Sequence, residues 1–274
     1  MRPASGAIGN GPMKSITRFL PLAIMTCLSV IAIWHGPIPQ FPDYHDFADK
    51  TVRFGIPYFA NVLSNLGFAL VPLWVWLRLT TLGNATRLGF GWSGYRLFLI
   101  GVFLTAFSSG WYHLAPDNVR LVGDRLTIAL ACAGLLAGVW GDTQRRSSKR
   151  LAVILSASGL FSVVWWYATE LAGIGDLRPY ILFQTAPIIM IPLWQWIYGS
   201  DRADRIAFSM ALILYAAARL AEIYDHEIGA LLVVLTGHTV KHLLTTVAVA
   251  LIACQLVTRV RQQTRTHDQA RHLP

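Results

Sequence analysis

Charged residues are scarce in this sequence: they make up 14% of its 274 residues, whereas soluble globular chains carry about 25%. The mean hydropathy is correspondingly high, at +0.48. This composition excludes an ordinary soluble domain. Cysteine is also rare, and the three copies, Cys27, Cys132 and Cys254, lie in apolar stretches without a CxxC spacing. A disulfide framework and a thiolate metal site are therefore excluded as well.

Apolar residues, by contrast, make up 54% of the chain and come in blocks of about 20, the length of a helix that crosses a bilayer. The first block, 16–34, is placed like a signal peptide but lacks an A-x-A-like cleavage site, so we expect a retained membrane helix. The other blocks lie at 57–80, 95–114, 122–141, 151–172, 179–198, 205–222 and 228–257. The sequence predicts an all-α integral membrane protein, with a seven-transmembrane-helix core and one extra N-terminal transmembrane helix.

The predicted organisation has four parts. Residues 1–15 are rich in Gly, Pro and Ser and are predicted to be disordered, 16–35 form the extra helix, 36–257 form the core, and 258–274 form a basic tail. The net charge of +9 is concentrated in alternate loops and at both ends. This pattern orients a membrane protein with both termini in the cytoplasm and excludes a nucleic-acid groove. Short loops without organelle-type sorting signals favour a bacterial inner membrane.

Three histidines lie within or at the edge of the apolar blocks. His238 and His242 are four residues apart in the last block, on one face of the expected helix, and His113 ends the third block. Ionisable residues inside a membrane segment are functional candidates, and three is the number of protein ligands in a catalytic tris-histidine zinc site. The alternative is a set of polar side chains that bond neighbouring helices. The remaining histidines fall in loops or the tail: His35, His45, His226, His267 and His272.

Two further polar residues are expected at the same depth. Alternating helix directions place His113 and Asp124 near the outer ends of their helices, and Ser109 lies on the same helix face as His113. These parts suit hydrolysis by a zinc-activated water, with Asp124 as general base and Ser109 as oxyanion donor. No Glu adjoins the first histidine, so this is not an HExxH site. Asp124 could instead form a salt bridge with Arg125 or with another helix, and Ser109 could be an ordinary small packing residue.

The order and spacing of these residues resemble the alkaline ceramidases. Ser109-x3-His113, then Asp124, then His238-x3-His242 follow that family's pattern, which is shared more widely with the progestin and adiponectin receptors. The resemblance implies a seven-helix core with zinc held by the three histidines. It also implies that Asp124 and Ser109 take part in hydrolysis of ceramide, or a related N-acyl lipid, to a fatty acid and a sphingoid base. The substrate would enter laterally from the bilayer.

The segment from Asn61 to Asn65 adds to the resemblance, because Asn61, Ser64 and Asn65 look like the family's Asn-x2-Ser-Asn signature. The chain departs from the family at its calcium site, since Tyr58 stands where the family has a glutamate. The preceding acidic residues form either a calcium site or a solvated acidic loop, and their different spacing favours the loop. These residues are Asp43, Asp46 and Asp49.

Two other function classes stay open. A receptor of the same fold would hold a structural zinc, but the chain shows no large soluble receptor or effector domain. A proton-coupled transporter would use the histidines and Asp124 as a relay, but the chain shows no repeats or pairs of broken helices. Lys241 is expected to point away from the two histidines that flank it, and to snorkel or pair with an acid.

Overall fold

The computed structural model describes residues 17–81, 89–232 and 235–271. The predicted disordered segment, 1–15, and the last residues, 272–274, lie outside this range. In chain order the elements are α1 (Leu20–His35), β1 (Val52–Arg53), β2 (Ile56–Pro57), α2 (Phe59–Ser64), α3 (Leu66–Thr81), α4 (Trp92–Leu114), α5 (Asn118–Gln144), α6 (Lys149–Leu171), α7 (Arg178–Tyr198), α8 (Arg202–Ile223), α9 (Asp225–Leu232) and α10 (Gly237–Arg271).

Among the described residues, seven segments are long and apolar enough to cross a membrane, each with 21 to 28 residues. At 1.5 Å per residue the shortest of them reaches about 31 Å, which matches the hydrocarbon core of a bilayer. The first segment, Phe59–Thr80, combines α2 and most of α3, and the last, Gly237–Thr264, is the first part of α10. The predicted all-α membrane fold with a seven-helix core is confirmed.

The extra N-terminal helix is present as α1, with 16 residues. Its length of about 24 Å is shorter than the seven spans. Arg178 at the start of α7 donates from Nη1 to the carbonyl oxygens of Ala32 at 3.2 Å and Ile33 at 3.4 Å. The same guanidinium forms an ion pair with Asp176 at 2.8 Å. The C-terminal end of α1 is therefore fastened to the start of α7.

Glycine contacts bring α4 and α5 close together as an antiparallel pair. A side chain at Gly94 would overlap the backbone of Gly138, and one at Gly134 would overlap the backbone of Phe98. Small residues at such contacts let membrane helices pack backbone to backbone. This pairing places the end of α4 beside the start of α5, where the candidate site residues lie.

An ionic network ties the helices together at the end of the bundle away from the histidines. Arg259 of α10 pairs with Asp142 of α5 at 2.7 Å and lies 3.6 Å from Asp204 of α8. The hydroxyl of Tyr95 in α4 donates to Asp142 at 2.7 Å. This network therefore fixes α4, α5, α8 and α10 relative to one another at this end of the bundle.

The last apolar block differs from the prediction at both ends. Instead of one helix over 228–257, the chain forms α9 and then a separate helix, α10, that begins at Gly237 and continues to Arg271. The hydroxyl of Thr236 accepts a hydrogen bond from the Thr239 N–H at 3.4 Å, as a residue that precedes a helix does. The predicted tail from 258 is helical because it contains no Gly or Pro before Arg271 and is rich in Arg and Gln.

Candidate metal centre

The structure brings His113, His238 and His242 together in one buried cluster. Their candidate ligand atoms all lie within 4.8 Å of one another, and this is the single group of its kind in the part of the chain that the structure describes. All three side chains are at most 5% exposed. His113 is the penultimate residue of α4, and His238 and His242 lie in the first two turns of α10. The four-residue spacing therefore places both α10 rings against the end of α4.

The distance between the Nε2 atoms of two of the rings fits a tetrahedral metal site. The Nε2 atoms of His113 and His238 are 3.2 Å apart. Two ligands of a tetrahedral zinc with bonds of about 2.0–2.1 Å are about 3.3–3.4 Å apart. Neutral imidazole nitrogens are also common zinc ligands. The three histidines thus fit a zinc ion in donor type, and the His113–His238 pair also fits it in spacing.

Ser64 determines which nitrogen of His242 is free to bind metal. The Ser64 hydroxyl donates its single proton to the Asn61 carbonyl oxygen at 2.9 Å. The same oxygen lies 2.8 Å from His242 Nδ1, so it must accept the hydrogen bond there. His242 consequently carries its proton on Nδ1 and leaves Nε2 as the metal-facing nitrogen. Such outer partners fix the tautomer and the ring orientation of metal-binding histidines.

Asn61 connects the Ser64 hydroxyl to α10 and to the loop that precedes α2. Its side-chain oxygen accepts from the Thr239 hydroxyl at 2.7 Å, and its backbone N–H donates to Asp49 at 3.0 Å. The Asn65 amide donates to the Asn61 carbonyl oxygen at 2.7 Å. The three polar residues of the Asn-x2-Ser-Asn segment are all buried and position the His242 side of the cluster.

Asp225 positions the His238 side of the cluster. One of its carboxylate oxygens accepts from the His238 N–H at 2.6 Å, and the other accepts from the Ala48 N–H at 2.9 Å. A Cβ at Gly237 would overlap the carbonyl oxygen of Ala221, so α10 begins in close contact with α8. This contact places His238 in the first turn of α10, whereas the predicted helix over 228–257 would place it well after the helix start.

Phe47 closes the cluster on the side of the loop that precedes β1. Its ring centroid lies 4.4 Å from that of His238 and 4.8 Å from that of His113, and its side chain is buried. An aromatic ring in this position excludes water from one side of the histidines. Sequence reasoning missed Phe47, because nothing in a loop sequence shows which helix end the loop covers.

Ser109 and Asp124 lie where the sequence predicted, at the end of α4 and the start of α5, and both are buried. Both side chains line the same cavity, and Asp124 Oδ1 has no hydrogen-bond partner among the described residues. Asp124 does not form the alternative ion pair with Arg125. Arg125 instead lies 3.9 Å from the centre of the Trp166 ring and donates to Gln40 at 2.8 Å.

A cavity of about 260 Å³ reaches Ser109, Asp124 and His242. It extends between α3, α4, α5, α7, α8 and α10, and its walls are mostly apolar side chains such as Phe98 and Ile191. The histidine cluster is thus closed by Phe47 on one side and faces an apolar cavity on another. This arrangement can hold a hydrocarbon chain with its polar end at the histidines.

Lys241 differs from the expectation that it points away from the histidines. Its ammonium pairs with Glu222 at 2.7 Å, as expected for an acid partner, but it also lies 3.1 Å from His238 Nε2. A divalent ion beside His238 would repel this ammonium and favour its pairing with Glu222. Sequence reasoning missed Glu222, although an acid within an apolar block is itself a signal of function.

The structure does not bring the three candidate calcium ligands together. Asp49 is buried and accepts hydrogen bonds from Thr51 and Asn61, whereas Asp43 and Asp46 are exposed. A hydrogen bond from Lys50 lowers the pKa of Asp46 below its usual value. The segment is therefore a loop with one buried acid that supports the site, and the solvated-loop interpretation fits Asp43 and Asp46.

Comparison with known proteins adds no assignment: no protein-family model, no curated protein and no solved structure matches this chain.

Proposed function

We propose that the chain is an intramembrane zinc-dependent amide hydrolase that acts on ceramide or a related N-acyl lipid. One observation carries the proposal: a buried cluster of three histidines lies beside a serine and a carboxylate at the polar end of an apolar cavity. The same residues carry the resemblance to the alkaline ceramidases. By the positive-inside rule, the histidine end of the bundle faces outward and both termini are cytoplasmic.

His113, His238 and His242 would hold the zinc. A bound zinc would supply Lewis-acid chemistry and would lower the pKa of water towards neutrality. Ser64 and Asp225 keep two of these histidines in place through the Nδ1 atom of His242 and the backbone N–H of His238. Phe47 keeps bulk water away from the two rings that it contacts.

Asp124 is the proton carrier in this proposal. Its Oδ1 atom faces no protein donor in the described residues, so it can take a proton from the attacking water and return it to the leaving amine nitrogen. The water oxygen then forms the new bond to the carbonyl carbon as the carbon–nitrogen bond breaks. The Ser109 hydroxyl, which lines the same cavity as this carboxylate, can donate to the carbonyl oxygen as negative charge develops there.

The test is hydrolysis of a C16 ceramide in proteoliposomes, measured as fatty acid release. Wild type is expected to release fatty acid, and Asp124→Asn is expected to lose a factor of about 10² to 10⁴ in rate, because general acid–base catalysis contributes that much. Asp201→Asn, an exposed acid at the far end of the bundle, is the matched control and is expected to keep the rate.

Two outcomes would contradict the proposal. A full rate in Asp124→Asn would remove the carboxylate from the mechanism. Zinc-loaded wild type that hydrolyses neither ceramide nor other N-acyl lipids would favour the receptor, in which zinc is structural.

A further inference from the structure

Two cationic side chains line the cavity, and the hydrolytic mechanism gives neither of them a role. Arg219 of α8 and Lys241 of α10 contribute to the same wall as Asp124 and His242. Cations in a membrane-spanning segment are costly and mark binding sites or relays unless they are fully paired. The charge of this wall therefore depends on how completely Arg219 and Lys241 are paired.

Both cations share a single carboxylate. Glu222 accepts from Lys241 Nζ at 2.7 Å through Oε1 and from Arg219 Nη1 through Oε2. Arg219 and Lys241 are part of the cavity lining, whereas Glu222 is not. The Arg219 side chain is 53% exposed, which leaves its guanidinium accessible. Each cation is thus only partly compensated, and both are available from the cavity.

The two cations at this end of the cavity outnumber the carboxylate that pairs with them. Arg219 and Lys241 carry two positive charges and share the one negative charge of Glu222. With the nearby carboxylates of Asp124 and Asp225 counted as well, a zinc ion at the histidines would leave an excess of one positive charge. In a low-dielectric site, such an excess favours a ligand that brings negative charge with it.

The position of Lys241 limits where that negative charge can lie on a substrate. Its Nζ atom is 3.1 Å from His238 Nε2 and 2.7 Å from Glu222, so it stays beside the histidine cluster even when a metal ion drives it towards Glu222, and an anion bound to it lies next to the cluster. In an N-acyl α-amino acid, the carboxylate carbon is three bonds from the amide carbon, at about 3–4 Å. A carboxylate so close to the amide can reach Lys241 while the amide lies at the histidines.

We propose that Lys241 and Arg219 form an anion-binding subsite, and that the preferred substrate is an N-acyl amino acid rather than a neutral ceramide. The substrate class rests on the proposed hydrolytic function, whereas the subsite itself can be tested by binding alone. In this arrangement the acyl chain occupies the apolar cavity and the carboxylate lies between the two cations.

The test compares N-palmitoylglycine with N-palmitoylethanolamine, which share the acyl chain and the amide and differ in the carboxylate. Binding to zinc-loaded protein in detergent is measured by calorimetry, and hydrolysis by palmitate release. Wild type is expected to bind N-palmitoylglycine about tenfold or more tightly, as a charge-assisted contact provides. Lys241→Met is expected to lose this preference and Lys241→Arg to keep part of it. The exposed Lys149→Met is the matched control and is expected to keep the preference in full.

Arg219→Gln provides a second variant at a half-exposed position, in case Lys241→Met fails to fold, and is expected to reduce the preference as well. Equal binding of the two lipids by wild type would overturn the subsite, even if both were hydrolysed, and would leave the hydrolase proposal intact. A carboxylate preference that disappears in Lys241→Met or Arg219→Gln would support the subsite, even if neither lipid were hydrolysed. A carboxylate preference without hydrolysis of either lipid would count against the hydrolase proposal alone.

Discussion

At the scale of single residues, the account depends on how each histidine is held. His242 has a hydroxyl partner, His238 is positioned through its backbone, and His113 Nδ1 has no hydrogen-bond partner among the described residues. His113 is therefore oriented by packing, chiefly against Phe47 and Tyr112. Because the Ser64 hydroxyl sets the protonated nitrogen of His242, Ser64 is an informative supporting residue.

Ser64→Ala is expected to weaken zinc binding by about 10- to 100-fold, the usual effect of removing an outer partner of a metal-binding histidine. The reason is that His242 can then turn or change its tautomer. Zinc affinity is measured by competition with a chelator. Ser158→Ala is the matched control, since that exposed hydroxyl bonds only the carbonyl oxygen of Ile154 in its own helix. Equal zinc affinities for Ser64→Ala and wild type would show that the hydroxyl does not orient the ring.

At the scale of elements, the start of α10 is the critical feature. Gly237 has no room for a side chain, because a Cβ would overlap the carbonyl oxygen of Ala221 in α8. His238 follows directly and uses its N–H to bond Asp225. A shift of this helix start would therefore move a metal-binding candidate together with the backbone.

Gly237→Ala is expected to lower the free energy of unfolding by about 1–3 kcal/mol, as overpacking does, and to reduce the zinc content. Gly110→Ala is the matched control in α4, because a Cβ there meets open space. That control is expected to keep zinc and to gain up to about 1 kcal/mol from helix propensity. Thermal unfolding in detergent and elemental analysis measure both effects. An equal response of the two variants would contradict the close contact between α8 and α10.

The attachment of α1 to α7 leads to a pH-dependent prediction. Burial alone would raise the pKa of Asp176, but hydrogen bonds from Arg178, Trp165 and the Ile38 N–H outweigh it, so this pKa lies below its usual value. The stabilisation is therefore complete above the unfolded value of about 3.9 and is lost as the pH falls towards the folded value. The Tm difference between wild type and Asp176→Asn is expected to be constant from about pH 6 to pH 4 and to shrink between about pH 4 and pH 3. A Tm difference that does not change down to about pH 3 would contradict the stabilising role of the ionised carboxylate.

The boundaries of the elements show what the sequence could and could not predict. Apolar blocks located six of the seven spans to within about six residues and misplaced the ends of the last one. The cost of an unpaired backbone in a bilayer leaves helices as the only option for such blocks. The break between α9 and α10 was missed, since it depends on a carboxylate and a close glycine contact that only the folded chain brings together. The residues that hold the site from a distance in sequence, Ser64 and Phe47 among them, were likewise not assigned their partners.

At the scale of the whole molecule, the bundle has two distinct ends. The histidine end combines a buried polar cluster, a covering loop and the polar mouth of the cavity, whereas the other end is joined by the network of Arg259, Asp142 and Asp204. The candidate site residues predicted from the sequence all lie at the histidine end. Motif order was sufficient to find them, because antiparallel neighbours return each helix end to the same depth.

The proposed orientation can be tested with single cysteines in a chain whose own cysteines are replaced by alanine. Lys50→Cys, in the loop at the histidine end, is expected to react with an impermeant maleimide on intact cells. Ser147→Cys, in the loop between α5 and α6, is expected to react only after permeabilisation. Both positions are exposed. The reverse pattern would place the histidine end in the cytoplasm and contradict the positive-inside argument.

The central claim is that His113, His238 and His242 hold a zinc ion, and the most direct test is the metal content of the purified protein. Elemental analysis of detergent-purified wild type is expected to find about one zinc per chain, and His238→Ala is expected to lose it, because two histidines rarely retain a zinc. A well-folded wild type without zinc, even after incubation with the ion, would contradict the account. The three histidines would then be a polar packing cluster or a proton relay.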